Sequence, residues 1–247
     1  MADTEHKVVL LAGASGLVGK HALDALLSAS DIGRVFAVTR RPLGREHPRL
    51  ANRIVRFDSM ETQLKGMTCH AAVCCLGTTI KQAGSQEEFR RVDVDYVLSF
   101  ARVAKASQAQ RFIVVSSAAA DSQAKNFYLR TKGEMEEALE GVGFVSLDIL
   151  QPGPILGLRG GPVRPLDLGA LLLMPLINPF LRGTRATLRG ISAQTVGAAI
   201  VGATRSGRKG VQRYTYQGME ALARLKSVRT VPLVDPQAAG NARRRRT

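Results

Sequence analysis

Residues 7–29, KVVLLAGASGLVGKHALDALLSA, carry the reading that decides the fold. The first seven, KVVLLAG, are a β-rich apolar run that stops on a glycine. Gly13, Gly16 and Gly19 follow at three-residue spacing, and KHALDALLSA then repeats its apolar positions with the period of a helix. Strand, tight glycine turn and helix N-terminus in that order suit a dinucleotide pyrophosphate. Missing Cβ atoms let it approach the backbone, and the exposed amides and helix dipole offset its charge. The spacing is G-x-x-G-x-x-G, where many dehydrogenases have G-x-G-x-x-G. A glycine-rich turn with no ligand is the plain alternative.

Outward from this stretch the alternation continues for some 150 residues. RVFAVTR, RIVRFD, AAVCCLG, RFIVVSS and VSLDIL read as strands, and the long EEFRRVDVDYVLSFARVAKAS and the segment holding FYLRTK as helices. Continuous apolar strands separated by helices predict an α/β protein with a doubly wound parallel sheet, a Rossmann fold. After Gln151-Pro152-Gly153 the chain turns rich in Pro and Gly, and SAQTVGAAIVGATRSG then reads as a helix capped by Ser192 or Thr195. The expected organisation is a nucleotide-binding core over 1–153 and a small C-terminal substrate-facing or lid part of the same domain over 154–234. A basic, disordered tail follows over 235–247, ending in Arg243–Arg246.

The end of the second strand selects the cofactor. A site for NAD places an acid about 20 residues past the glycine loop to hold the ribose 2′-hydroxyl. Here the strand ends in Thr39, Arg40 and Arg41. Guanidinium groups suit a 2′-phosphate, so NADP(H) is expected, against the alternative of an arginine pair that merely caps a strand.

Composition narrows the partners. Residues 1–150 hold 19 Lys/Arg against 17 Asp/Glu, and residues 151–247 hold 16 against 3. The basic second half suits an anionic protein or membrane surface or a phosphorylated ligand, or is a solvated face. The apolar run 166–181, flanked by Arg159, Arg164, Arg182, Arg185 and Arg189, suits a hydrophobic substrate, a homodimer face, core packing or a membrane surface. No nucleic-acid motif accompanies the charge, and with aromatics at 5% and no Trp, stacking surfaces look sparse. Cys69, Cys74 and Cys75 have no His/Cys partners at metal spacing, which predicts buried structural thiols and no metal site. MADTEHK has neither a secretory apolar core nor transit-peptide character, and the run 166–181 is too short to span a bilayer. The expected location is cytoplasmic.

FYLRTK, residues 127–132, sets Tyr128 four residues before Lys132, so both leave one helix face. The strand before it ends in Ser116-Ser117, where ligands sit in an open α/β sheet. A tyrosine normally holds its proton to a pKa near 10, and an ammonium beside it favours the phenolate. Tyr128 can then exchange a proton with an oxygen at which a hydride arrives or leaves, and Ser117 can hydrogen-bond the same oxygen.

With VCCLGTT (73–79), FRRVDVDYVL (89–98), SSAAAD, FYLRTKGEME and QPG, the chain resembles atypical short-chain dehydrogenases/reductases of the Tat-interacting-protein branch over residues 7–220. The resemblance implies cofactor contacts from Gly13, Ser15, Gly16, Leu17, Val18 and Gly19, with Arg40 and Arg41 at a 2′-phosphate and Asp58 near the adenine. It implies Leu76, Gly77 and Thr78 along the riboses, contacts from Ser116, Tyr128 and Lys132, and the Pro152–Ile155 backbone near the carboxamide. Ser117, Tyr128 and Lys132 are the implied catalytic set. Asp93 stands where a fourth-helix asparagine often completes the site in the wider superfamily. The implied activity is NADPH-dependent hydride transfer to a carbonyl or activated double bond of a small organic substrate. The competing reading is a non-enzymatic NADPH-binding scaffold or regulator docking through the basic second half.

Overall fold

A computed structural model of the chain describes residues 6–157 and 189–225. Seven parallel strands form one sheet in the order β3-β2-β1-β4-β5-β6-β9. They are β1 (Lys7–Ala12), β2 (Ile32–Thr39), β3 (Leu50–Ile54), β4 (Ala71–Cys74), β5 (Arg111–Val115), β6 (Ser146–Leu150) and β9 (Gly210–Tyr214). Between β6 and β9, the two-residue strands β7 (Ile155–Leu156) and β8 (Ile191–Ser192) pair in parallel as a separate small sheet. The doubly wound Rossmann fold is what the alternating sequence predicts.

The sheet is apolar on both faces because helices cover both. Every residue of β4 and β6 is buried. On one side α1 (Leu17–Ser28), α7 (Ala193–Arg205) and α8 (Tyr216–Leu225) close a core that includes Val9, Leu11, Leu26, Ile113 and Ile200. On the other side lie the single-turn α2 (Met60–Gln63), then α5 (Tyr96–Ala106) and α6 (Phe127–Glu140), around Leu10, Phe100, Phe112, Met135 and Ile149. Tight helix contacts require small residues. A Cβ on Gly197 of α7 would stand 2.7 Å from the His21 backbone of α1, and one on Gly202 would stand 2.0 Å from the Leu222 carbonyl oxygen of α8.

Three sequence expectations change. The third strand is Leu50–Ile54, earlier than RIVRFD, because the chain turns at Phe57–Ser59 to bury Phe57. The long helix is not continuous: α4 (Gln86–Arg90) runs through a π turn at Arg91–Asp95 into α5, and α3 (Ile80–Ala83) precedes it. The core also extends past residue 153. β9 continues the main sheet beside β6, from Ser146↔Gly210 to Leu150↔Tyr214, and α7 packs against α1. Residues 189–225 therefore build the body of the fold, not only a substrate-facing part. Ser192 caps α7, accepting the Thr195 amide at 2.9 Å. The apolar run 166–181, Arg159, Arg164, Arg182, Arg185 and the tail 235–247 lie outside the described residues.

Among the described residues no helix is long and apolar enough to cross a membrane, and no group of His, Cys, Asp and Glu could hold a metal ion. Cys69 and Cys74 are buried free thiols whose pKa burial pushes up to about 12.

Candidate functional site

The β1–α1 turn is shaped by contacts that only glycine permits. Gly13 has φ +81°, and a Cβ there would lie 2.4 Å from the Cys75 carbonyl oxygen at the end of β4. A Cβ on Gly19 would lie 1.9 Å from the Gly13 carbonyl oxygen, so the first turn of α1 rests directly on the loop. Gly16 caps α1 with no side chain, and its amide bonds back to the Gly13 carbonyl at 3.0 Å. The next amides of α1 are left for an incoming anion, and no acid stands in the first turn to compete. Ser15 is exposed beside the turn and Leu17 half-buried, while Val18 is buried in the core.

A groove of about 430 Å³ opens over this turn, between the ends of β1, β2 and β4. Gly13, Ser15, Gly16, Arg40, Arg41, Leu76 and Gly77 line it. Thr39 and Asn52 organise its basic corner. The Asn52 amide donates to the Thr39 hydroxyl at 2.7 Å, and that hydroxyl donates to the Arg41 carbonyl at 2.8 Å. Sequence reading did not single out Phe57, Val92 and Tyr96, which also line the groove. The Phe57 and Tyr96 rings meet edge to face at 5.4 Å, and the Arg40 guanidinium lies 5.8 Å over Phe57. An aromatic wall therefore exists despite the low aromatic content. Asp58 is exposed next to this wall rather than in it, accepting bonds from Arg91 at 2.6 Å and the Tyr96 hydroxyl at 2.8 Å. The Arg91 bond, more than the Tyr96 bond, holds its carboxyl below the usual range.

The helix α6 contributes no lining residue to this groove; it is capped by Asn126, whose side chain accepts the Leu129 amide at 3.1 Å. Tyr128 is half-buried near the start of the helix, its ring 5.7 Å from that of fully buried Phe89. Lys132, one turn on, is 4% exposed, with its ammonium 2.6 Å from the Asp93 Oδ1 in the π turn. The other Asp93 oxygen accepts the Thr78 amide at 2.8 Å. A Cβ on Gly77 would approach to 3.4 Å from Asp93 Oδ1 and 3.9 Å from Lys132 Nζ. Lys132 is thus built in directly behind the groove-lining turn. Burial opposes its charge, but Asp93 and then Tyr128 outweigh burial and hold its pKa above the ordinary lysine value.

The structure separates Ser116 from Ser117. Ser116 is buried and donates its hydroxyl to Glu136 of α6, so its side chain is turned away from the role of ligand contact that the resemblance implies. Glu136 also accepts Gln151 at 3.0 Å on both oxygens and Arg213 at 3.2 Å. Ser117 remains half-buried, with its hydroxyl 3.3 Å from the Ala118 carbonyl oxygen. Pro152 is buried and accepts the Ala118 amide at 2.8 Å, and Ile155 begins β7. Cys75 also faces the groove, its thiol pushed up by burial.

Comparison with known proteins bears on this arrangement. The HIM1 family model matches residues 56–167. Protein HTATIP2 of Rattus norvegicus is 36% identical over 156 residues, 62% of this chain and 64% of that protein. Protein FMP52-1, mitochondrial, of Scheffersomyces stipitis is 30% identical over 208 residues, 80% of this chain and 88% of that protein. The chain belongs to the HTATIP2/FMP52 family.

This HTATIP2/FMP52 family member spans just under two thirds of the rat protein's length. Two solved structures share its fold. MoeE5 in complex with UDP-glucose and NAD superposes with TM-score 0.61 at 20% identity, over 83% of this chain and 74% of that one. A UDP-glucose 4-epimerase from Thermotoga maritima gives TM-score 0.63 at 14% identity, over 89% and 81%. The expectation of a cytoplasmic protein is overturned, since the FMP52 relatives from several fungi are named mitochondrial.

Proposed function

We propose that the protein is an NADP(H)-dependent oxidoreductase acting on a carbonyl or activated double bond of a small organic substrate, with Tyr128 as general acid/base. The observation that carries it is Lys132, buried one turn after Tyr128 and lodged behind the Gly77–Thr78 turn of the groove. A lysine on the buried face of a helix has no packing reason to be there. Beside a tyrosine and a nucleotide-shaped groove it has a chemical one.

The residues fit the cofactor. The glycine turn and free α1 amides suit a pyrophosphate, the Phe57–Tyr96 wall suits an adenine face, and Arg40 and Arg41 suit a 2′-phosphate. Leu76, Gly77 and Thr78 lead from that corner toward α6. When bound, a nicotinamide supplies or receives the hydride. Tyr128 hands its proton to the substrate oxygen in the reductive direction and takes it back in the oxidative one, with the Lys132 ammonium one helical turn away. Ser117 supplies a hydroxyl for the same oxygen. The Phe89 ring packs against the tyrosine ring at 5.7 Å, tilted by 54°.

The test is NADPH consumption by wild type and Tyr128→Phe against aldehydes, ketones, quinones and enones, with cofactor binding followed in parallel. The expected result is a fall in turnover on the order of 10²–10⁴ with cofactor affinity nearly unchanged. Tight NADPH binding with no turnover on any compound would instead favour a cofactor-binding scaffold.

A further inference from the structure

Asp93 is the strongest unexplained feature of the site. It is 0% exposed and sits in the π turn Arg91–Asp95. Carboxylates are seldom buried without full compensation, and π turns inside helices recur where a side chain has to be re-aimed. Both oxygens of Asp93 are used, and they are used on different elements. Oδ1 meets the Lys132 ammonium of α6 at 2.6 Å, and Oδ2 takes the Thr78 amide of the loop after β4 at 2.8 Å. The same π turn presents Val92 to the groove, and Tyr96 follows it there.

We propose that Asp93 is a positioning residue with two separable duties: as fixed counter-ion it holds Lys132 as a permanent cation, and as hydrogen-bond acceptor it clamps the Gly77–Thr78 turn to that lysine. The inference rests on the cofactor and tyrosine reading above. It assigns Lys132 an electrostatic and anchoring task, not that of a group which gives up and regains a proton during turnover.

The charged surroundings agree. Asp93 faces Lys132 from the π turn, Tyr128 from its own helix, and Cys74 from β4, where burial keeps the thiol neutral. Asp93 is therefore the one carboxylate among these groups. Without it, burial would be opposed only by the weaker pulls of Tyr128 and Cys74. Gly77 lies against the pair, since a Cβ there would be in ordinary contact with both members.

The test separates charge from hydrogen bonding. In protein with ¹³C-labelled lysines, the Lys132 Cε signal is assigned by its loss in Lys132→Arg and followed against pH. In wild type it should stay at the ammonium position beyond the ordinary lysine midpoint of about 10.4. In Asp93→Asn, which keeps an acceptor for Thr78 but no charge, it should titrate at lower pH than in wild type. NADPH affinity should fall less than about threefold in Asp93→Asn and on the order of tenfold in Asp93→Ala, where the clamp is also gone, since one lost hydrogen bond is worth roughly 1–1.5 kcal/mol.

A wild-type Lys132 that titrates below the ordinary value overturns the proposal, and that measurement needs no Asp93 variant. An unchanged titration in Asp93→Asn overturns the counter-ion duty, and equal affinity losses in the two variants overturn the clamp. None of these readings requires turnover, so the proposal fails independently of the oxidoreductase reading, which Tyr128→Phe tests.

Discussion

Ser116 donates its hydroxyl to Glu136, a carboxylate buried on α6 eight residues after Tyr128. One acid thereby ties the end of β5 to the helix that carries the tyrosine, and through Gln151 and Arg213 it ties in β6 and β9 as well. Glu136→Ala would leave Ser116 buried without its acceptor and Gln151 short of its own. The expected cost is on the order of 2 kcal/mol or more in urea unfolding. A loss within about 0.5 kcal/mol would show that water takes over the network.

The Thr39–Asn52–Arg41 hydrogen bonds set the basic corner before any ligand arrives. Replacing Arg40 and Arg41 together by alanine should weaken NADPH binding by roughly 10²-fold or more, as two charge-assisted contacts are lost. NADH, which lacks the 2′-phosphate, should lose far less. Titration of both cofactors decides it, and equal losses would remove the 2′-phosphate assignment.

Gly133 lies directly after Lys132, and a Cβ there would stand 2.1 Å from the Ser122 amide nitrogen. The loop after β5 crosses α6 at this point, with the Asp121 amide bonded to the Leu129 carbonyl at 3.2 Å. Gly133→Ala should push the loop and helix apart, costing about 1–3 kcal/mol and disordering the path from Ser117 to Tyr128. A melting temperature and turnover both close to wild type would contradict this.

Asp31 holds α7 to the sheet through Arg205, with Lys7 nearby at 3.8 Å. The Arg205 hydrogen bond outweighs partial burial and lowers the Asp31 pKa. A lowered folded value means that the pair adds stability above the ordinary aspartate value of about 3.9, and that this is lost as pH falls through the folded value. Asp31→Asn should therefore be less stable than wild type at pH 7, with the gap closing in acid. Unfolding curves between pH 7 and pH 2 would show a constant gap if the pair's charge were irrelevant.

Much of this molecule is legible in its sequence because the central strands are buried on both faces. KVVLLAG, AAVCCLG and VSLDIL announce themselves as continuous apolar runs, and the glycine spacing announces the turn. β9 is different. Gly210, Val211 and Arg213 are exposed at a sheet edge, so GVQRY has no apolar run to betray it. The π turn is silent for another reason: Arg91–Asp95 has ordinary helical composition, and the extra residue in the turn is enforced by where Asp93, Val92 and Tyr96 must point. The site divides in the same way. Gly13, Tyr128 and Lys132 stand in recognisable spacings, whereas Phe57, Asn52 and Glu136 reach their places by tertiary contacts that leave no local pattern.

The short pair β7–β8 sets Leu156 beside Ser192, so the chain departs from the body and rejoins it at neighbouring points. Closing a stretch of chain costs only about 0.6 kcal/mol more for each doubling of its length. With both ends stapled in this way, β6, α7 and β9 keep their places on either side of the join.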